Sequence, residues 1–154
     1  MYVLKMNYVK GDLIEIAKQG NFDVIIHGCN CFNIMGAGIA KTIKKNWPEA
    51  YEEDCKTVKG DKNKLGTYTS VIVDNLIIVN AYTQFHYGKK QDYESNYKAI
   101  KSVFKKIKTD FKGKKIGFPK IGAGLAGGEW NIISDIINNE LLGEECTCVL
   151  YYVN

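Results

Sequence analysis

Apolar residues recur along the chain with two alternating periods, one typical of strands and one typical of helices. Short runs of alternating or continuous apolar residues predict six strands. They are predicted at Tyr2–Val9, Phe22–His27, Gly66–Val73, Leu76–Tyr82, Lys115–Pro119 and Thr147–Val153. The continuous run at Phe22–His27 indicates a strand buried on both faces. Asp74-Asn75 predicts a two-residue hairpin turn between the third and fourth strands.

Helical periodicity lies between these strands and is clearest at Glu94–Phe111. The other predicted helices are Asp12–Gln19, a helix from the glycine turn at 36–38 to about Asn46, one starting at Pro48, and Glu129–Leu142. This alternation predicts an α/β fold, a three-layer α/β/α sandwich with a mixed, largely parallel central sheet. Only the hairpin and the sheet edges need be antiparallel. We expect a single domain over residues 1–154.

Composition narrows the possible partners. The formal net charge of +4 comes from 21 lysines and no arginine against 17 acidic residues. Because bidentate arginine contacts to guanine are the commonest means of reading DNA sequence, sequence-specific nucleic-acid binding is not favoured. Any bound phosphate would have to be held by backbone N–H groups, lysines or hydroxyls.

The five cysteines and the apolar runs bear on the cellular compartment. An odd number of cysteines argues against a disulfide framework. The pairs Cys29/Cys31 and Cys146/Cys148 lack the usual spacing of zinc knuckles. No apolar run approaches the roughly 20 residues that cross a bilayer, and the N-terminus has no signal-peptide core. We expect a cytoplasmic monomer with reduced thiols, no bound metal and no membrane contact.

Two glycine-rich segments, 28–40 and 120–129, each follow a predicted strand and precede a predicted helix. Glycine lets backbone N–H groups approach a ligand closely, and the helix N-terminus adds the positive end of its dipole. Two such segments at one sheet edge favour a ligand that contains a diphosphate. The alternative for either segment alone is that its glycines serve only tight packing. Neither has a G-x-G-x-x-G or Walker signature, so a nicotinamide dehydrogenase or an NTPase is not favoured.

Three motifs of the sequence resemble those of the macro domains. They are Val9-Lys-Gly-Asp-Leu13, His27-Gly-Cys-Asn30 with Met35-Gly-Ala-Gly-Ile-Ala40, and Pro119-Lys-Ile-Gly-Ala-Gly-Leu125. Within the family, the sequence is most similar to the branch of ADP-ribose-1″-phosphate phosphatases and the related terminal ADP-ribose–protein glycohydrolase, which carry a histidine at the position of His27 in the second of these motifs. The resemblance extends over essentially the whole chain. It implies binding of ADP-ribose and hydrolysis of ADP-ribose-1″-phosphate to ADP-ribose and phosphate, without a cofactor.

The resemblance also implies roles for individual residues. Asp12 and Leu13 would contact adenine, although Asp12 also fits a plain helix N-cap, and Asn30 would bind the distal ribose. Either Tyr151 or Tyr152 would pack near adenine, and we choose Tyr151. The first glycine segment would follow the distal ribose and diphosphate, and the second would cradle the phosphates. The other predicted ligand-binding residues are Asn33, Gly36, Ala37, Gly38, Ile39, Ile121, Gly122, Ala123, Gly124, Leu125 and Ala126.

His27 and Asn30 are the predicted catalytic residues. A histidine at a strand end beside the distal ribose could act as acid or base near neutral pH, and the alternative is a core histidine bonded to backbone. His86 is a second candidate, with an exposed loop residue as its alternative. Ala126 stands where the glycohydrolase has an aspartate, and no lysine follows Tyr82 until Lys89, which disfavours a lysine nucleophile. The alternative functions are a non-catalytic ADP-ribose reader and a hydrolase that removes ADP-ribose from protein or nucleic acid.

Overall fold

The computed structural model of the chain describes residues 5–88 and 90–151. Its strands are β1 (Asn7–Lys10), β2 (Val24–Cys29), β3 (Tyr68–Val73), β4 (Leu76–Tyr82), β5 (Ile116–Phe118) and β6 (Cys146–Leu150). Its α-helices are α1 (Leu13–Lys18), α2 (Gly38–Asn46), α3 (Pro48–Cys55), α4 (Tyr93–Asp110) and α5 (Trp130–Glu140). Every predicted strand and helix is present. A 3₁₀ turn at Lys62–Lys64 was not predicted, and the predicted strand positions 2–4, 152 and 153 lie outside the described residues.

The six strands form one sheet in the order β1-β6-β5-β2-β4-β3. All neighbouring pairs are parallel except β3 and β4. The predicted hairpin is confirmed, because Asp74 and Asn75 have φ values of 50° and 68°, the left-handed conformation that favoured two-residue turns require. Strand β1 lies at a sheet edge and is nevertheless parallel to β6. The mixed, largely parallel sheet is therefore confirmed, with its only antiparallel pair in the described residues at the β3 edge.

Helices cover both faces of the sheet, which confirms the three-layer sandwich. Central strand β2 contributes to both apolar cores because successive side chains of a strand point to opposite faces. Ile26 packs with residues of α4 and α5, and Ile25 packs with residues of α1, α2 and α3. The helical residues buried in these cores include Ile100, Val103, Phe104, Ile133 and Ile137 on one face and Leu13, Ile14, Ile43 and Ala50 on the other.

The parallel strands direct several connections to one edge of the sheet. Strand β2 pairs in parallel with both β4 and β5, and β5 pairs in parallel with β6. Their carboxyl ends therefore meet, and ligands of open α/β sheets bind at that edge. Among the described helices, none is long and apolar enough to cross a bilayer.

Candidate ligand-binding site

A cavity of about 670 Å³ opens at the edge where β2, β4, β5 and β6 end. Its wall is built from the connections after β2, β4 and β5 and from the end of β6. The volume lies within the roughly 300–1,000 Å³ typical of small-molecule sites. Among the predicted ligand-binding residues, those that line it are Asn30, Gly36, Ala37, Gly38, Ile39, Ile121, Gly122, Gly124, Leu125, Ala126 and Tyr151.

The first glycine loop (residues 28–37) leads from β2 into helix α2. The N-cap residue of this helix, Ala37, has no side-chain acceptor for the first turn. The N–H groups of Gly38, Ile39 and Ala40 have no hydrogen-bond acceptor among the described residues. All four of these residues line the cavity. The first turn of α2 therefore offers unpaired donors and the positive end of the helix dipole to a ligand.

The second glycine loop (residues 119–129) leads from β5 into helix α5. It is closed by a hydrogen bond of 2.8 Å, which the N–H of Gly128 donates to the carbonyl of Gly122. Further N–H groups have no acceptor among the described residues, namely those of Gly122, Gly124, Leu125 and Ala126. These four residues also line the cavity. A succession of free N–H groups in a tight loop is suited to binding anionic oxygens.

Two glycines of this second loop have different functions. Gly122 has a φ of +75°, where side-chain-bearing residues are strained. Gly124 has no such strain, and a Cβ built on it meets no atom within 4 Å. Gly122 is therefore required by the backbone conformation, whereas the position of Gly124 keeps space open in the cavity.

The two glycine loops approach each other across the cavity. A Cβ built on Gly38 would lie 3.2 Å from Cδ1 of Leu125, so this side chain reaches the start of α2. Leu125 is exposed and lies between the two groups of free N–H donors.

Charged side chains contribute little to the wall. Among the described lining residues, Lys120 is the only charged one, and none is a carboxylate or an imidazole. Within residues 5–88 and 90–151, no three His, Cys, Asp or Glu side chains form a group that could hold a metal ion. Among the described lining residues, the hydrogen-bond donors are therefore mainly peptide N–H groups, with Lys120 as the charged one.

The Cys29 thiol lines the cavity but is poorly suited to nucleophilic catalysis. Burial raises the pKa of this thiol well above its ordinary value, and the charge of Asp54 raises it further. A nucleophilic cysteine requires the opposite shift, toward the thiolate. The structure therefore agrees with the expectation that Cys29 is a buried, protonated thiol.

The structure does not bring His27 to the cavity, where the sequence analysis expects a catalytic acid or base. Strand β2 continues to Cys29, so His27 lies two residues before the strand end, and its side chain is fully buried. Its Nε2 donates to Oδ1 of Asn80 at 2.7 Å, which fixes the neutral tautomer because the amide Nδ2 of Asn80 donates to the carbonyl of Ala50. His27 is not among the residues that line the cavity. The alternative, a core histidine, is the one observed, with a side-chain partner in place of backbone.

Burial also makes His27 a poor proton carrier at neutral pH. Desolvation lowers the pKa of its imidazole to about 4, and the hydrogen bond to Asn80 opposes this shift only in part. The ring therefore stays neutral near pH 7. General acid–base catalysis favours a group whose pKa lies near the working pH, and His27 does not meet that condition.

The two predicted asparagines of the first loop differ in position. Asn30 lines the cavity, and its side chain accepts from the N–H of Phe32 at 2.8 Å and donates to the carbonyl of Ile34 at 2.8 Å. Asn33 does not line it, and its amide instead bonds to Thr57 and Lys64. Asn30 thus shapes the loop at the cavity, whereas the predicted ligand-binding residue Asn33 is not brought to the cavity wall.

At the β6 end of the cavity, the predicted residues again fall into two groups. Tyr151 lines the wall and is 74% exposed, which leaves its ring available to a ligand, while Tyr152 lies outside the described residues. Asp12 caps α1 by accepting from the N–H of Ile14 at 2.9 Å, and Leu13 is buried in the core. Neither Asp12 nor Leu13 lines the cavity, and neither does Ala123, which packs against the other core. Of these four residues, only Tyr151 lies at the cavity wall.

Sequence reasoning missed the wall formed by the connection after β4. Gln84, Tyr87 and Gly88 line the cavity, with the ring of Tyr87 stacked on His86 at a centroid distance of 4.4 Å. The position of this wall follows from the parallel pairing of β4 with β2, which brings the carboxyl ends of the two strands together. Further lining residues that were not predicted are Gly28, Cys29, Ile34, Ala40, Pro119, Lys120, Val149 and Leu150. His86 is exposed and does not line the cavity itself.

Fold and cavity together define a class, an α/β ligand-binding domain whose site for anions is made of backbone donors. The family model of the macro domain matches residues 26–137 of the chain. The match contains both glycine loops and more than half of the sequence. The chain therefore belongs to the macro domain family.

Two relatives extend this result over most of the chain. A protein of Enterobacteria phage T4, described as an uncharacterized 17.5 kDa protein, is 33% identical over 86% of this chain and 88% of its own. The ADP-ribose 1″-phosphate phosphatase of Debaryomyces hansenii is 26% identical over 86% of this chain and 92% of its own.

Solved structures share the fold over nearly the whole chain. A Bacteroides thetaiotaomicron protein of unknown function has a TM-score of 0.75 at 29% identity, covering 97% of this chain and 99% of its own. The macrodomain of Thermus aquaticus DarG has a TM-score of 0.74 at 21% identity, covering 96% and 98%. Thermosipho africanus DarTG, solved in complex with ADP-ribose, has a TM-score of 0.71 at 17% identity, covering 97% and 43%.

Proposed function

We propose that the protein binds ADP-ribose in the cavity between the two glycine loops. The observation that carries this proposal is the set of free backbone N–H groups, three on the first turn of α2 and four on the second glycine loop. A diphosphate has enough acceptor oxygens to use donors on both sides. The exposed ring of Tyr151 at one end of the cavity is suited to stacking on a purine. The complex of the similarly folded Thermosipho africanus protein with ADP-ribose supports this proposal.

We further propose that the protein removes the phosphate of ADP-ribose-1″-phosphate. The phosphatase relatives, one of them similar over most of the chain, support this reaction. In it, a water oxygen forms a bond to phosphorus, the bond from phosphorus to the 1″ oxygen breaks, and that oxygen takes up a proton. The donors at α2 would neutralise charge on the transferring oxygens, a contribution that preorganised N–H groups make without reorganisation.

A non-catalytic ADP-ribose reader is the alternative that a specific observation favours. Among the described lining residues there is no carboxylate or imidazole to orient water or protonate a leaving group. Among the described lining residues, the hydroxyl groups are those of Tyr87 and Tyr151, and the amine is that of Lys120. A phosphatase built this way would depend on positioning and electrostatics more than on proton transfer.

One experiment separates these functions. Phosphate release from ADP-ribose-1″-phosphate is measured beside a calorimetric titration with ADP-ribose, for the wild type and for Gly124→Val. We expect micromolar affinity, about −8 kcal/mol, and phosphate release that the variant abolishes together with binding. Binding without phosphate release would establish the reader. No saturable binding at millimolar ADP-ribose would refute both functions.

A further inference from the structure

We propose that Lys64 is a positioning residue whose buried ammonium group holds the first glycine loop in its ligand-binding shape. The proposal rests on the ADP-ribose binding proposed above, and it adds a residue that does not line the cavity. Lys64 belongs to the 3₁₀ turn between α3 and β3 and is only 7% exposed. Lysines are rarely this buried unless their charge is compensated, so the groups around its ammonium group must supply that compensation.

Both hydrogen bonds of the Lys64 ammonium group go to the first glycine loop. Its Nζ donates to the carbonyl of Cys31 at 3.1 Å and to Oδ1 of Asn33 at 2.7 Å. On another side it lies 4.8 Å from the ring centroid of Tyr82, a cation–π distance. None of the ion pairs within 4 Å among the described residues includes Lys64. This cation is therefore compensated by the loop oxygens, by the aromatic face of Tyr82 and, at longer range, by the buried carboxylate of Asp54. Burial raises the pKa of that carboxyl, and the charge of Lys64 opposes this shift.

The bond from Lys64 to Asn33 stabilises an unusual backbone conformation in the first glycine loop. Its φ is +58°, in the left-handed region that residues with side chains seldom adopt. Its Oδ1 also accepts from Oγ1 of Thr57, and its Nδ2 donates to the carbonyl of Thr57, both at 3.1 Å. The side chain is thus held from two directions while the backbone turns between Asn30 and Ile34, which both line the cavity.

Cys31 extends the effect of Lys64 to a second wall of the cavity. Its carbonyl accepts from Lys64 and from the N–H of Gly60, the latter at 2.7 Å. Its own N–H donates to the carbonyl of Phe85 at 2.9 Å. Phe85 lies in the connection after β4 that also carries Tyr87, a lining residue. Lys64 therefore fixes Cys31, and Cys31 bonds the first glycine loop to the wall after β4.

A double-mutant cycle tests whether Lys64 acts through Asn33. Lys64→Met keeps the length of the side chain and removes its donors, and Asn33→Ala removes the acceptor. We expect each variant to weaken ADP-ribose binding about tenfold, and the double variant to bind no more weakly than either single one. Lys64→Met combined with Asn33→Gly should recover affinity, because glycine adopts the positive φ unaided. The matched control is Lys59→Met, an exposed lysine outside the network, which should bind like the wild type.

Each outcome decides the proposal. Unchanged affinity in a folded Lys64→Met variant, or losses that add in the double variant, would overturn it. Should Lys64→Met not fold, Lys64→Gln is measured in its place, because its amide is neutral and ends one bond short of the Nζ position; a folded Lys64→Gln that binds like the wild type would overturn the proposal. If the wild type does not bind ADP-ribose, the proposed function fails, and amide hydrogen exchange of residues 30–37 then tests Lys64 alone. Faster exchange in Lys64→Met would support the positioning, and unchanged exchange would refute it.

Discussion

An acidic residue placed at the N-cap of α2 should stabilise the protein and abolish ligand binding. Ala37 has the extended backbone of an N-cap, with φ −147° and ψ 161°, but no side-chain acceptor. In the variant Ala37→Asp, a carboxylate would accept from the same first-turn N–H groups that we assign to the ligand. The substitution therefore supplies the acceptor that the first turn of α2 lacks and occupies the N–H groups that would bind the ligand.

The two effects differ in sign and size. Replacing alanine by a good N-cap residue stabilises a helix by about 0.5–2 kcal/mol, and near 1 kcal/mol the melting temperature of a chain of this size rises by about 2–4 °C. A carboxylate about 4 Å from a ligand phosphate is repelled by about 4 kcal/mol at an effective dielectric constant near 20. We expect ADP-ribose affinity to fall at least about hundredfold.

Thermal melting and calorimetry on three variants separate these contributions. Ala37→Asn supplies a cap without charge, so it should stabilise the protein and reduce affinity less than Ala37→Asp. The matched control is Glu129→Asp at the N-cap of α5, which also lacks a side-chain cap bond and does not line the cavity. It should not weaken binding. If Ala37→Asp raises the melting temperature and leaves ADP-ribose affinity intact, the first turn of α2 is not part of the anion site.

Three further predictions concern the core histidine and the second glycine loop. His27→Ala should lower the free energy of unfolding by about 1–3 kcal/mol at pH 7, because Asn80 loses its partner, and should leave ADP-ribose affinity within a few-fold, as denaturation and calorimetry would show. Because burial lowers the pKa of His27 from 6.5 to about 4, only the unfolded chain binds this proton between those values. The free energy of unfolding should therefore not depend on His27 protonation above pH 6.5 and should fall by about 3 kcal/mol as the pH is lowered to 4. Urea unfolding of the wild type and His27→Gln across this range tests the prediction. An equal loss of unfolding free energy in both proteins would refute it. Gly124→Val should abolish ADP-ribose binding with little change in melting temperature, whereas Gly122→Val should abolish binding and also lower the melting temperature. Lys120→Ala should weaken binding only a few-fold. If calorimetry shows a larger loss of affinity for Lys120→Ala than for Gly124→Val, the backbone N–H groups of this loop do not hold the phosphates.

The fold could be predicted because its periodic signals are local. The run at Phe22–His27 gave a strand buried on both faces, and the helical pattern at Glu94–Phe111 gave α4 within a residue of each end. The two glycine loops could be placed at one edge because each follows a strand of a largely parallel sheet. Eleven of the predicted ligand-binding residues consequently line one cavity.

His27 could not be placed correctly because the end of β2 was set two residues too early. A residue at the last position of a strand lies at the end of the sheet, where ligands bind. His27 instead pairs with Asn80 of β4, two residues before β2 ends. The continuous burial predicted for this strand already implied an interior position. The resemblance to phosphatases implies a histidine at the site, whereas the burial of β2 places His27 inside the sheet.

Lys64 illustrates a second limit of sequence reasoning. It lies in the segment Asp61-Lys-Asn-Lys64, whose polar composition indicates an exposed loop. Its burial arises only when Tyr82 and the first glycine loop come together around it. Contacts between residues far apart in the sequence leave no periodic trace in the chain, so this network could not be predicted from the sequence.

The pairing of β1 with β6 has a consequence for biosynthesis. These are the first and last strands of the described chain, and Asn7 pairs with Thr147, 140 residues later. On the ribosome, β1 leaves the exit tunnel long before its sole neighbour exists, and contacts of such large sequence separation slow folding. The wall formed by Val149, Leu150 and Tyr151 is completed at the same moment. A nascent chain that has not yet released residues 146–151 would therefore carry an unpaired β1 and a cavity without the wall at Val149, Leu150 and Tyr151.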